Sequence, residues 1–384
     1  LRNRCAILAV LFAVRLTMAF QFQSVAAVAP LLGGKFGVSL ADIGLLIGLY
    51  FTPGVALALP GGAIGQKFGD KATVLAALML MLAGGLLMAL SDLWSMQIAG
   101  RLIAGGGGVL LNVQMSKMVT DHFAGKEIAT AMAIFVNSWP AGVAVSLLTL
   151  PAIGAAYGVT AVYLAVAATV AFGILLLAAT YRPPAHAAAV ATAAARLDRH
   201  AIATVIVAGL MWGLFNVGFA MIFSFGPTLL VERAWSITAA GSAISIVLWL
   251  AVFSVPFGGM LADRTKRPQT VLVVSWLLFA LLMLVLPRTS AVIATVIALG
   301  LTSGQAAGPI LSLPASVLKA ETRAIGMGLF YTVYYGAMML GPVIGGACAK
   351  WTGSAGAAFD FGAAVLLVCP LLLWGFNWIA GLRE

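Results

Sequence analysis

Charge is what this sequence has least of. Asp, Glu, Lys and Arg make up 8% of its 384 residues and 62% of the chain is hydrophobic, whereas soluble domains carry about 25% charged residues. A large water-soluble fold is excluded on that ground. Acid is scarcer than base, 11 residues against 21. Every acidic residue (Asp42, Asp70, Asp92, Asp121, Glu127, Asp198, Glu232, Asp263, Glu321, Asp360 and Glu384) falls in a loop or at the end of an apolar run. No mid-membrane carboxylate is therefore available as a proton relay or as the partner of a cationic compound. The three His residues, His122, His186 and His200, lie in polar segments and make neither a metal site nor a buried relay. Cys5, Cys348 and Cys369 are too few and too scattered for a disulfide framework. The glycine run Gly105 to Gly108 lacks the Gly-Lys-Ser/Thr ending of a phosphate loop. Nucleotide drive and a cofactor are thus not expected. No nucleophile, base and orienting acid are grouped as an enzyme would need.

What the chain does have is long apolar runs. A helix needs about 20 such residues to cross a bilayer. Twelve runs qualify: 6–32, 41–65, 72–91, 94–118, 128–150, 157–180, 201–230, 238–262, 270–287, 290–318, 323–348 and 355–381. They are continuously apolar and not alternating, which predicts helices and not a barrel. The first run is too long, and too closely followed by the second, for a cleavable signal peptide. The chain opens on Leu1, so an initiator or short tail ahead of it is expected.

The net charge of +10 is a topology signal. With the N-terminus in the cytoplasm, 15 of the 21 Lys and Arg fall on the cytoplasmic side. Only Lys35, Arg233, Arg288 and Lys350 fall opposite, and Arg15 and Arg101 lie inside spans. That bias follows the positive-inside rule. It predicts both termini in the cytoplasm of a bacterial-type inner membrane, with lipid and not nucleic acid as the macroscopic partner, and a monomer.

The one long polar interruption, 181–200, opens with Arg182-Pro183-Pro184, which cannot continue a helix. It predicts a cytoplasmic linker between an N-terminal six-helix bundle, 1–180, and a C-terminal one, 201–384. The halves are related. A shift of 197 places Phe22 on Phe219, Pro30 on Pro227, Ser39 on Ser236, Gly44 on Gly241 and Gly62 on Gly259, and Thr73-Val74-Leu75 on Thr270-Val271-Leu272. Internal repeats of this kind mark secondary transporters, with the binding site at the repeat interface.

The same shift pairs two loops, Gly62 to Lys71 and Gly259 to Arg267. Both resemble the signature loop of the major facilitator superfamily, Gly-x-x-x-Asp-Arg-x-x-Arg-Arg. The second copy supplies Gly259, Asp263 and Arg264. The first supplies Gly62 and Lys67 but departs from the pattern, with Gln66 in place of the Asp and Asp70 in place of a basic residue. Gly62 and Gly259 are expected at close helix contacts. Arg101 to Gly107 resembles the family's Arg-x-x-x-Gly-x-Gly element, and Glu321-Thr322-Arg323 with Gly326 and Gly328 is also typical. The resemblance covers essentially the whole chain. It implies an all-α membrane protein of twelve helices in two pseudo-symmetric bundles, working by alternating access. It also implies that the signature loops latch the halves in one state. It leaves the subfamily and the substrate unassigned.

In that family spans 1, 4, 7 and 10 line the cavity, with 5, 8 and 11 beside them. Residues three or four apart share a helix face. Arg15, Ala19 and Phe22 form one stripe of span 1, and the repeat maps it onto Trp212, Asn216 and Phe219. Arg101, Gly105, Gly108 and Asn112 form a stripe of span 4. Spans 5, 10 and 11 add Asn137 and Trp139, then Ser303, Gln305 and Ser312, then Tyr331, Tyr334 and Tyr335. Arg15 stands out. A cation in mid-helix costs about 2.5–3.5 kcal/mol on insertion scales, and its span holds no acid to neutralise it. The arrangement suits a small organic or inorganic anion, with Arg15 as first charge partner and Arg101 as second, because Arg offers a planar bidentate fork. A proton or a counter-transported anion would couple the movement, or nothing would. Each residue has a structural alternative: Arg15 snorkelling to the headgroups, Arg101 bonding span 1 carbonyls, the amides joining helices, and the tyrosines packing or forming an interfacial belt. The functional alternative is an efflux antiporter for hydrophobic drug-like compounds, favoured by the aromatics. A non-transporting sensor or a membrane enzyme fits the small loops less well.

Overall fold

The computed structural model describes residues 4–123, 128–181, 197–319 and 322–381. Most of the linker and Glu321 lie outside the described residues, as do the side chains of Gly62, Gln66 and Arg323. Among the described residues there are sixteen helices and no strand. They make twelve passes, several of them broken. Pass 1 is α1 (Arg4–Ala27) with α2 (Ala29–Phe36), and pass 2 is α3 (Leu40–Gly48), α4 (Thr52–Leu57) and α5 (Gly61–Phe68). Pass 3 is α6 (Asp70–Ala89) and pass 4 is α7 (Trp94–His122). Passes 5 and 6 are α8 (Ile128–Val136) and α9 (Ser138–Thr180). The second half follows as α10 (Arg199–Glu232), α11 (Ile237–Thr265), α12 (Pro268–Val285), α13 (Val292–Ser303) with α14 (Ala307–Val317), α15 (Arg323–Thr352) and α16 (Gly356–Ala380).

Among the described residues, ten segments are long and apolar enough to cross a membrane. One of them, Ile134–Thr180, runs 47 residues and is two passes, because Gly158 interrupts α9 with φ 79° and ψ 177°. Only glycine enters that region readily, so a single residue turns the chain back. The twelfth pass is α7, which carries Gln97, Arg101, Asn112, Gln114 and Lys117 along its length. The breaks in pass 2 follow its prolines: Pro53 opens α4 and Pro60 precedes α5, each lacking the N–H that would extend the preceding turn.

The contacts group into two compact units, Leu1–Val38 with Leu49–Ala191, and Ser39–Gly48 with Thr192–Glu384. The division therefore differs from the expected 1–180 and 201–384 at α3, which groups with α15. The reason is small residues. A Cβ on Gly44 would overlap the Pro342 backbone, one on Gly48 the Met339 backbone, and one on Gly346 the Leu40 backbone, so these helices touch main chain to main chain. Inside the first unit α1 lies along α9, where Gly142 faces Ala19. Inside the second, α10 lies along α15, where Gly213 faces Ala337.

Candidate substrate site

In the first unit Arg15 is 8% exposed and points inward, not along α1 to a membrane surface. Its Nε donates to Asn112 Oδ1 at 3.1 Å. Its Nη1 donates to the Phe135 and Val136 carbonyls, both at 3.1 Å, and to Ser138 Oγ at 3.0 Å. The guanidinium also lies 4.7 Å from the centre of the Phe135 ring. The two carbonyls end α8, where Asn137 breaks the helix before α9, and a helix C-terminus attracts a cation. The acceptors named here are neutral: they satisfy donors without cancelling charge. Asn112, Asn137 and Trp139 are half-buried beside them.

Arg101 is fully buried. It donates to the Gln21 carbonyl at 3.1 Å and the Phe22 carbonyl at 2.6 Å. It lies beside both the Phe22 ring, 5.5 Å away, and the Tyr50 ring, 4.6 Å away. Along the same stripe of α7, a Cβ on Gly105 would overlap the Tyr50 backbone and one on Gly108 the Tyr50 hydroxyl. The stripe Arg101, Gly105, Gly108 and Asn112 thus presents one face to α1 and Tyr50. Phe22 packs against Tyr50, Phe51 and Trp139 with ring centres 5.5, 4.9 and 5.1 Å away. Tyr50, Phe51, Phe135 and Ser138 were not singled out from the sequence. For the first two the available signal was Pro53, which breaks pass 2 just after them.

The second unit holds an aromatic set. Trp212 lies 5.7 Å from Phe215 and 6.2 Å from Tyr334, and Tyr334 lies 6.2 Å from Tyr331 and 5.0 Å from Tyr335. Asn216 shares the half-buried face of Trp212 and Phe219 and bonds the Trp212 carbonyl one turn back, at 2.8 Å. Gln305 is elsewhere. It lies in the break between α13 and α14, bonds the Leu301 carbonyl at 3.1 Å, and lines a groove with Leu261, Thr265 and Arg267. Ser303 is buried and Ser312 exposed.

The two signature loops are built differently. In the first, Asp70 pairs with Lys117 at 2.7 Å, and Lys117 with Asp121 at 2.8 Å. Lys71 donates to the Ala178 and Tyr181 carbonyls at 2.8 Å, so the charges of this copy turn onto their own bundle. Burial, and then Asp70 and Asp121, push the Tyr181 phenol upward. Lys67 is exposed over the Phe68 ring. In the second copy Asp263 and Arg264 are exposed. A Cβ on Gly259 would meet open space, whereas Gly258 is packed against the Gln305 backbone. The tightest approach is thus one residue before Gly259, whose own Cα would lie 3.4 Å from a Cβ on Gly308 of α14.

A broken-helix repeat with intramembrane arginines and paired signature loops is matched by one family model, that of the Major Facilitator Superfamily, over residues 11–233 and 201–379. The chain belongs to the major facilitator superfamily. Curated relatives match in part. Azole resistance protein 1 of Saccharomyces cerevisiae is 43% identical over 74 residues, 19% of this chain and 12% of that protein. Inner membrane transport protein YajR of Escherichia coli is 28% identical over 141 residues, 36% of this chain and 30% of that protein. The chain thus spans under a third of either. Solved members of similar fold include an inward-facing, unoccupied bacterial homologue of the human lysosomal transporter Spinster (TM-score 0.72, 14% identity, 98% of this chain and 96% of that one). A D-xylose-proton symporter aligns with a TM-score of 0.74 at 15% identity, covering 94% of this chain and 96% of that one. At these identities the likeness is one of fold. With ten membrane-length apolar segments, the superfamily member is an integral membrane protein.

Proposed function

We propose that this chain is a secondary transporter, not an enzyme, that moves a small organic or inorganic anion across a bacterial-type inner membrane by alternating access. Both termini lie in the cytoplasm on this reading. The observation that carries it is Arg15: a buried guanidinium held by an amide, two carbonyls and a hydroxyl, each of which fixes its orientation and leaves its charge. A fixed cation in a low-dielectric site interacts strongly with an arriving anion. Asn112, Asn137 and the Phe22–Trp139 pair give the anion's body amide and aromatic surface. Arg101, the secondary cation, adds its charge at a distance and holds α1 in place through the Gln21 and Phe22 carbonyls. Superfamily membership supports the transport reading, and three couplings fit it: proton with substrate, exchange of a second anion, or uniport.

The test is uptake of a panel of radiolabelled small anions into proteoliposomes carrying wild type, Arg15→Lys or Arg15→Ala, each normalised to correctly folded protein. Uptake should vanish in the alanine variant and weaken in the lysine variant. Unchanged uptake in both overturns the assignment. A second reading, efflux of hydrophobic compounds, is favoured by the Trp212–Tyr331–Tyr334–Tyr335 set and by the partial match to a protein named for azole resistance. Drug-sensitivity profiles of a deletion strain separate the two: broad sensitisation to apolar compounds, with no anion phenotype, selects efflux.

A further inference from the structure

The break in pass 10 has a consequence on the outside of the second unit. Where α13 ends at Ser303 and α14 begins at Ala307, the main chain at Gln305 packs directly on α11 at Gly258. Seven residues after Gly258, α11 ends at Thr265, and α12 begins after only Lys266 and Arg267. Between α11, α12 and the break lies a groove of about 220 Å³, room for about seven water-sized groups. It is lined by Leu261, Val271 and Val274 along its length, and by Thr265, Thr270 and Arg267 towards the turn. Its flanks are apolar and outward-facing: Val274 is 56% exposed and Phe257 50%. At its end, Arg264, Lys266 and Arg267 are all exposed, with Asp263 as the one acid among them. Among the described residues none of these three cations takes part in an ion pair.

We propose that this groove binds an anionic phospholipid, with the phosphodiester against Arg267 and the start of an acyl chain along Leu261, Val271 and Val274. An apolar trough that opens on a lipid-facing surface and ends in unneutralised cations matches both parts of such a molecule. A free phosphate would have no use for the apolar lining. A zwitterionic lipid would bring its own cation to a turn that already holds three against one acid. The turn also belongs to the side that carries the chain's Lys and Arg excess, where anionic headgroups gather cations. The groove would then account for Gln305, which lies here and not among the tyrosines of α15.

The test uses the full-length protein, delipidated in detergent, with phosphatidylglycerol, phosphatidylcholine and inorganic phosphate as probes. Bound lipid is counted by native mass spectrometry and stabilisation is read as the shift in melting temperature. Phosphatidylglycerol should be retained at least tenfold better than phosphatidylcholine and should raise the melting temperature, while inorganic phosphate should leave it unchanged. Arg267→Gln should lose that preference and Arg267→Lys should keep most of it. Val274→Trp, which fills the groove and leaves every cation, should also lose the lipid. Equal retention of both lipids, stabilisation by inorganic phosphate alone, undiminished retention in Arg267→Gln, or full retention in Val274→Trp would each overturn the site.

Discussion

Gly37 and Ala234 lie 197 positions apart and share the same positive φ, 64° in each. Gly69 and Lys266, at φ 84° and 54°, stand the same 197 apart. Ala234 and Lys266 are the only non-glycine residues with positive φ among the described residues. Each therefore occupies a position where the first half of the duplication keeps glycine. What has outlasted the glycine at both positions is the positive φ; the full turn geometry is not kept at the second, where ψ is 143° at Gly69 and 26° at Lys266. At Ala234 the reason is visible: the Trp235 N–H bonds back to the Leu230 carbonyl at 3.1 Å, and the Ala234 N–H to Val231 at 3.0 Å, the closing pair of a helix stop that requires a left-handed residue.

A side chain in that conformation costs roughly 1–2 kcal/mol. Ala234→Gly should therefore stabilise the protein by about 1 kcal/mol, after the larger unfolded-state entropy of glycine is deducted, and Gly37→Ala should destabilise it by a similar amount. Denaturation midpoints in one detergent check both. A destabilised Ala234→Gly would show that the alanine methyl has contacts worth more than the strain.

Gly158 gives a larger effect. Its φ 79° and ψ 177° lie in a region essentially closed to other residues, at a cost of about 1–3 kcal/mol each. Gly158→Ala should lose that much stability, although a Cβ there meets nothing within 4 Å. Since space is not the obstacle, a substitution tolerated at full stability would mean that the turn between passes 5 and 6 is not held in this conformation.

The passes were legible in the sequence because a bilayer imposes one dominant requirement, about 20 apolar residues, that leaves its mark residue by residue. The 197-residue repeat was legible for a different reason, its Pro, Gly and Ser matches at one offset. What was not legible is main chain. Arg15 finds the carbonyls of Phe135 and Val136, and carbonyls carry no residue signature. Of the two asparagines proposed for the site, Asn112 receives the Arg15 hydrogen bond, while Asn137 marks the helix break that frees those carbonyls. The grouping of α3 with α15 depends on Gly44, Gly48 and Gly346, which are some 300 residues apart and meet only in the fold. Gln305 looked like a pathway residue by span number alone. The break three residues wide between α13 and α14 turns it to another side.

Arg15 and Arg101 were expected to act as a pair, and their surroundings predict different responses to the same substitution. Arg101 divides its guanidinium between two carbonyls of α1 and lies against two adjacent aromatic rings. Lysine, a compact point charge with no planar fork, cannot make both bonds and stack. Arg101→Lys should then lose at least one charge-assisted bond, about 1.5–3 kcal/mol, and appear as a lower melting midpoint, with uptake falling only as folded protein falls. Arg15→Lys keeps a cation at the end of α8, where the helix terminus still favours it, so its melting midpoint should fall less while uptake per folded molecule drops. The ratio of uptake to folded protein separates these outcomes. If Arg101→Lys melts like wild type and loses uptake, the second cation meets the substrate directly and the site extends along α7 past Asn112 to the level of Phe22.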